Sequence, residues 1–127
     1  MVDYKELLVW QKSRVLAKQV YTVTQKFPKE ETFGLTNQLR RAVVSIPSNI
    51  AEGYNRYSNK EYIHFLKIAK GSAAEVETQI ILAMDFKYIS VEEGNRILAQ
   101  VGEILRILGS FIASLQSKPV TDVNQKI

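Results

Sequence analysis

Apolar residues recur along this chain at alternating steps of four and three. Between residues 59 and 88 the positions Tyr62, Leu66, Ala69, Ala73, Val76, Ile80 and Ala83 keep that rhythm without a break. Such a repeat draws one stripe along an α-helix, a seam packed on its neighbours at a shallow angle. A second, mixed stripe runs beside it: Phe65, Ile68, Ser72, Glu75, Gln79, Leu82 and Phe86. Two stripes predict two packing surfaces, one inside the protomer and one between subunits. Asn59 or Ser58 is placed to cap the helix, with Glu61 in its first turn facing the positive end of the helix dipole.

Residues 91–116 repeat the pattern with Ile97, Val101, Ile104, Leu108, Phe111 and Leu115, flanked by Leu98, Leu105 and Ile112. Gly102 and Gly109 lie one heptad apart in this helix, which predicts close contact with a neighbouring helix. Residues 4–26 form a first helix with Leu8, Val15, Leu16, Val20 and Val23 inward, closed by Phe27–Pro28, while Trp10 covers the end of the bundle.

Residues 30–55 complete the set. Leu35, Leu39, Ala42, Ile46, Ile50 and Gly53 form an apolar ridge, and Gln38, Arg41, Ser45, Ser48 and Glu52 form a polar one in register with it. Both ridges pass Pro47 without a change of phase, so the pattern favours one helix bent at Pro47. A proline there removes the hydrogen bond to the Val43 carbonyl and costs about 3 kcal/mol in a plain helix. Ser45, Ser48 and Asn49 are placed to offset that loss. A break at Pro47, with Ser45 capping a new helix, is the alternative. Four helices joined by short turns predict an all-α, antiparallel, up-down-up-down four-helix bundle spanning residues 1–118, with 119–127 as a frayed tail.

Composition narrows the class. With 127 residues and no cysteine, the chain is one domain without disulfides or thiol chemistry, which suits a cytoplasmic protein. No signal peptide and no membrane-length apolar run is apparent. The net charge of +4 is uneven: residues 1–70 hold twelve Lys/Arg against six Asp/Glu, and residues 71–127 hold five against seven. That polarity points to an anionic partner. The candidate nucleic-acid contacts are Arg40, Arg41, Arg56, Lys60, Lys67 and Lys70, with Tyr54, Tyr57 and Tyr62 able to stack on bases if exposed. Arg41 has a second reading, as an ion-pair partner of Glu52 or Glu75.

Candidate chemistry is sparse. Ser45 and Ser48 lack a nucleophile-elbow context, and the single histidine, His64, lies on another flank of its helix. One histidine and no cysteine exclude the usual zinc sets, and the Glu61–His64 pair has no second copy to make a di-metal site. No glycine cluster cradles a phosphate. The expectation is a protein without catalytic residues, metal or cofactor. Ser45, Pro47, Ser48, Asn49, Glu52, Ser72 and Glu75 are expected to form a structural polar ridge or an oligomer interface, with Glu52 and Glu75 joining a buried network.

The stretches "ELLVWQKS", "FPKEETFGLTNQLRRAVVSIPSNIAEGYNR", "YIHFLKIAKGSAAEVETQIILA" and "YIS" resemble a family of small four-helix-bundle proteins encoded in intervening sequences of bacterial large-subunit rRNA genes. More distantly, the chain is similar to the accessory protein of diversity-generating retroelements. The resemblance spans residues 6–116 and implies a ring-like homopentamer with a basic surface and a nucleic-acid-binding or scaffolding role. It maps Arg40, Arg41, Ser45, Pro47, Ser48, Asn49, Glu52, Gly53, Gly71, Ser72 and Glu75 onto the family's motifs, and it implies no catalytic residue among them. "AAEVE" replaces the usual "SLxELE", so small side chains at 73 and 74 alter that packing surface. The resulting expectation is a homo-oligomer that binds RNA or DNA. The alternative is a scaffold that docks a polymerase-type protein such as a reverse transcriptase.

Overall fold

Each long helix begins where a local signal stops the chain from extending. In the computed structural model, which describes residues 3–117, the order is a 3-10 turn at Tyr4–Glu6, α1 (Leu8–Thr24), a second 3-10 turn at Lys29–Glu31, α2 (Leu35–Tyr54), α3 (Asn59–Asp85) and α4 (Val91–Gln116). Ser58 caps α3 by accepting from the Glu61 amide at 3.2 Å, and Ser90 caps α4 through the Glu93 amide at 3.0 Å. Each serine oxygen satisfies one orphan amide of the first turn, and its hydroxyl donates in turn to the carboxylate of the same glutamate, at 3.1 Å in α3 and 3.4 Å in α4. Helix α2 has no such serine. Glu31 reaches forward from the 3-10 turn, and its Oε1 accepts from the Leu35 amide at 3.0 Å.

The four helices pack as a bundle, α1 against α2 and α4, and α3 against α2 and α4. The seven seam positions of α3, from Tyr62 to Ala83, are all fully buried, and the six of α4, from Ile97 to Leu115, are buried as well. Helix α2 runs unbroken through Pro47, which removes the alternative of a break there. Leu39, Ala42, Ile46, Ile50 and Gly53 are buried on its ridge, and Leu35 is half-buried. Ser45, Ser48 and Asn49 do not relieve the Val43 carbonyl as expected. The Asn49 amide donates to the Ser45 carbonyl instead, at 2.8 Å.

Helix α1 departs most from expectation. Leu8 and Val15 are 47% and 51% exposed, and Leu7 and Val9 are buried in their place. The buried stripe of α1 runs Val9, Ser13, Leu16, Val20 and Val23. Ser13 can hold its place there because its hydroxyl donates to the Val9 carbonyl at 2.7 Å, so Leu8 and Val15 fall on the flank. Trp10 does sit at the bundle end, edge-on to Tyr4 with ring centroids 5.5 Å apart. The expected tail at 119–127 lies outside the described residues. By length and composition α4 could cross a membrane, but its apolar stripe faces the other helices.

The glycines divide by surroundings. A Cβ on Gly53 would meet Phe65 Cβ at 2.9 Å and Tyr62 Cδ1 at 3.0 Å, so here α2 and α3 approach too closely for any side chain. A Cβ on Gly71 would meet nothing within 4 Å. Gly53→Ala is therefore expected to destabilise by about 1–3 kcal/mol through overpacking. Gly71→Ala, in an open helix interior, is expected to stabilise by about 0.5–1 kcal/mol. Thermal melts of the two variants should shift in opposite directions.

The Glu31 carboxylate also carries a pH signature. Its hydrogen bond from the Leu35 amide, and then that from the Tyr88 hydroxyl at 2.8 Å, hold it below the usual carboxylate range. The Lys26 ammonium does the same for Glu93. A lowered folded-state pKa gives stability that is present above the unfolded value and lost as pH falls through the folded one. Melting temperature is expected to drop as pH goes below the ordinary carboxylate range. Glu31→Gln should lower the neutral-pH plateau and flatten that acid limb.

Candidate nucleic-acid interface

The polar ridge of α2 meets α3 in a hydrogen-bonded set within the one helical turn, Ser45 to Asn49, that is centred on Pro47. Ser45 Oγ and Ser72 Oγ share a hydrogen bond of 2.8 Å, joining the two helices. Asn49 Nδ2 donates to Ser45 Oγ at 2.9 Å as well as to the Ser45 carbonyl. Further along, Gln79 Nε2 lies 3.5 Å from Gln38 Oε1, a long contact, and the buried Gln79 Oε1 has no partner. Neutral groups paired in this way fix helix register without burying a charge.

The carboxylates stay out of this set. Glu52 and Glu75 are exposed, as is Ser48. Glu52 accepts from Arg56 Nη2 at 2.7 Å, an i,i+4 pair along the end of α2. Arg41 makes no ion pair among the described residues, contrary to the expected partnership with Glu52 or Glu75. It lines one cleft with Asn37, Gln38, Ser45, Ser72 and Glu75 on the open side of the ridge.

The six basic candidates separate into two groups. Arg40 is engaged inside the protomer: its Nε donates to Thr24 Oγ1 at 2.8 Å, its Nη2 donates to the Tyr21 carbonyl at 3.2 Å, and its guanidinium lies 4.5 Å from the centre of the Tyr21 ring. Arg56 is held by Glu52 and stacks 4.7 Å above Phe65. Arg41, Lys60, Lys67 and Lys70 are exposed and form no salt bridge among the described residues. Lys60 and Lys67 share a cleft of 400 Å³ with Asn59, His64 and the end of α4. His64 was not among the basic candidates. Its place one turn from both lysines, at 60, 64 and 67, was readable from helical spacing.

The tyrosines divide likewise. Tyr62 is fully buried, edge-on to Tyr54 and Phe111, and burial pushes its hydroxyl well above the ordinary range. Tyr54 is buried beside it. Tyr57 stands 95% exposed in the turn before α3. Among the described residues no group of His, Asp and Glu is placed to hold a metal ion.

A family model described as 23S rRNA-intervening sequence protein matches residues 5–110. The chain belongs to that family. A solved structure of a protein of unknown function, from the S23 ribosomal protein family of Bacteroides thetaiotaomicron VPI-5482, is similar at 28% identity and a TM-score of 0.78. The match covers 83% of this chain and 98% of the other. None of the curated proteins matches. The family's fold is therefore the bundle described above, with the Ser45–Ser72 contact joining its second and third helices in this chain.

The divided roles of Arg40 and Arg41 give a direct check. Arg40→Ala removes two hydrogen bonds and a cation–π contact, and is expected to cost about 1–3 kcal/mol of stability. Arg41→Ala is expected to leave the stability of the dissociated protomer within about 0.5 kcal/mol of the parent. Chemical denaturation of the two variants measures both.

Proposed function

We propose that this protein is a non-enzymatic, self-associating module that holds nucleic acid through phosphate contacts, assembling as a homopentamer in the cytoplasm. The observation that carries the assembly is the outer side of α2 and α3. Ile68, Leu82 and Phe86 on α3 and Val44 on α2 are exposed apolar side chains. They flank the cleft where Arg41 and Glu75 sit without a mutual ion pair. Opposite charges left unpaired beside an apolar stripe suit a contact with another copy of the chain, which in a ring presents a different surface to this one. Ser45, Pro47, Ser48 and Asn49 form the wall of that contact.

The nucleic-acid part is supported by the net charge of +4 and by Lys60, Lys67 and Lys70, all exposed and outside any ion pair among the described residues. The family's name, which refers to intervening sequences of 23S rRNA, favours RNA over DNA as the first polymer to try.

A second reading, a scaffold docking a polymerase-type protein, draws on the α1–α4 seam. Leu8 and Val15 are exposed there beside a cleft of 310 Å³ shared with Gln100, whose Oε1 is buried without a partner. Salt separates the two readings, because phosphate binding weakens steeply as salt rises and apolar docking does not.

Sedimentation velocity with labelled structured RNA at low and high salt tests the proposal. A multimer that takes up RNA at low salt and releases it at high salt is expected; a monomer, or a multimer indifferent to RNA, would contradict it. Arg41→Glu and Glu75→Arg should each weaken assembly by about tenfold or more.

A further inference from the structure

Gly102 and Gly109 are not explained by packing inside the protomer. A Cβ on Gly109 would meet only Lys70 Nζ, at 3.7 Å, and one on Gly102 only Arg106 Nη1, at 3.5 Å. Both neighbours are the far ends of long, flexible side chains. The close helix contact expected of these glycines is absent, yet mid-helix glycine weakens a helix. What the two positions do is leave α4 without side chains of its own there, with the tip of Lys70 of α3 beside Gly109 and that of Arg106 beside Gly102.

That flank of α4 is bordered by cations. From Ile104 to Gln116, α4 has no carboxylate and one charged residue, Arg106. On α3 the exposed lysines Lys60, Lys67 and Lys70 run antiparallel to it. Lys60 and Lys67 share their cleft with Leu115 and Gln116, and Lys70 reaches Gly109. Glu61, the nearest acid on α3, is held at the helix start by a hydrogen bond from the Ser58 hydroxyl at 3.1 Å. Glu77, one heptad beyond Lys70, ends the row. At the other end stands Tyr57, exposed in the turn before α3.

We propose that the α3–α4 flank is an RNA-binding trough. The phosphodiester backbone lies along Lys60, Lys67, Lys70 and Arg106, and the missing side chain at Gly109 lets it approach the helix. Tyr57 offers its ring to an unpaired base at the trough's end. The inference rests on the nucleic-acid reading above and gives that reading a place. It excludes Arg40 and Arg56, which are engaged within the protomer, and it adds Arg106 and Gly109. Charge complementarity commits the trough to a polyanion, and an exposed aromatic at its end suits RNA better than an acidic peptide.

The test is a fluorescence anisotropy titration of a labelled RNA hairpin with a single-stranded tail, at two salt concentrations. Lys67→Gln and Lys70→Gln are each expected to weaken binding by about three- to tenfold, and to lower the salt slope by about one for each phosphate no longer neutralised. Gly109→Leu changes no charge and meets only a lysine tip. It is expected to weaken binding by about tenfold at an unchanged or higher melting temperature, and Gly109→Ala should fall between it and the parent. Lys29→Gln, on the far side of the bundle, should bind like the parent.

If the parent binds in a salt-sensitive way but the trough variants bind equally well, the trough is wrong and the nucleic-acid reading survives elsewhere on the surface. If the parent shows no salt-sensitive binding, both fall. Displacement of the hairpin by a polyglutamate peptide of equal charge at lower concentration would also overturn the assignment to RNA.

Discussion

The molecule depends on one constraint: α3 must lie close to α2 and α4 at the same time. It meets this by burying small residues, with Ala69, Ala73 and Ala83 at the fully buried seam positions and Gly53 of α2 admitting Tyr62 and Phe65. A helix held on two sides has a fixed rotation about its axis. Once that rotation is set, Ser72 faces Ser45, Lys70 faces Gly109, and Ile68, Leu82 and Phe86 are left outside. Packing density in such a seam tolerates little change in volume, so every surface of α3 is defined by what its buried stripe allows.

The same constraint sorts the charges. Arginines near the α1–α2 and α2–α3 contacts are drawn into them, Arg40 onto Tyr21 and Thr24 and Arg56 onto Glu52 and Phe65. A guanidinium over an aromatic face keeps its hydrogen-bonding fork usable while its flat side packs. The lysines of α3 are left on its free side. The protomer therefore has a neutral hydrogen-bonded ridge between α2 and α3, with unpaired charges at its rim, and a cationic strip on the opposite side of α3. Separate faces for self-association and for a polyanion are what an assembly needs if it is to do both at once.

Much of this is legible in the sequence, and the exceptions have physical causes. The seams of α3 and α4 can be read because their buried positions alternate cleanly over six or seven steps. The continuity of α2 through Pro47 follows from two ridges that keep phase, evidence stronger than the local cost of proline. Helix α1 misleads because a polar residue, Ser13, sits in the buried stripe with its hydroxyl satisfied by the Val9 carbonyl, which hides the Val9–Ser13–Leu16 step and makes Leu8 and Val15 look inward. The Glu31 cap escapes a pattern search because it acts from the end of a 3-10 turn, four residues ahead of the amide it satisfies, outside the usual serine-to-glutamate spacing. The partners of Arg40, Arg41 and Arg56 depend on helix rotation, which a one-dimensional pattern does not encode. The spacing of Gly102 and Gly109 predicts a helix contact that is absent, because spacing alone cannot distinguish a neighbour that is present from a space left open.

The proposed trough has the lysines of α3, with Arg106 of α4, meet the polymer while the remaining cations do not. Lysine acetylation with and without bound RNA, read by mass spectrometry residue by residue, tests it most directly. The account predicts that RNA slows modification of Lys60, Lys67 and Lys70 while Lys18, Lys29 and Lys87 react as in the free protein. Uniform protection of all six, or protection of the second set alone, would contradict it.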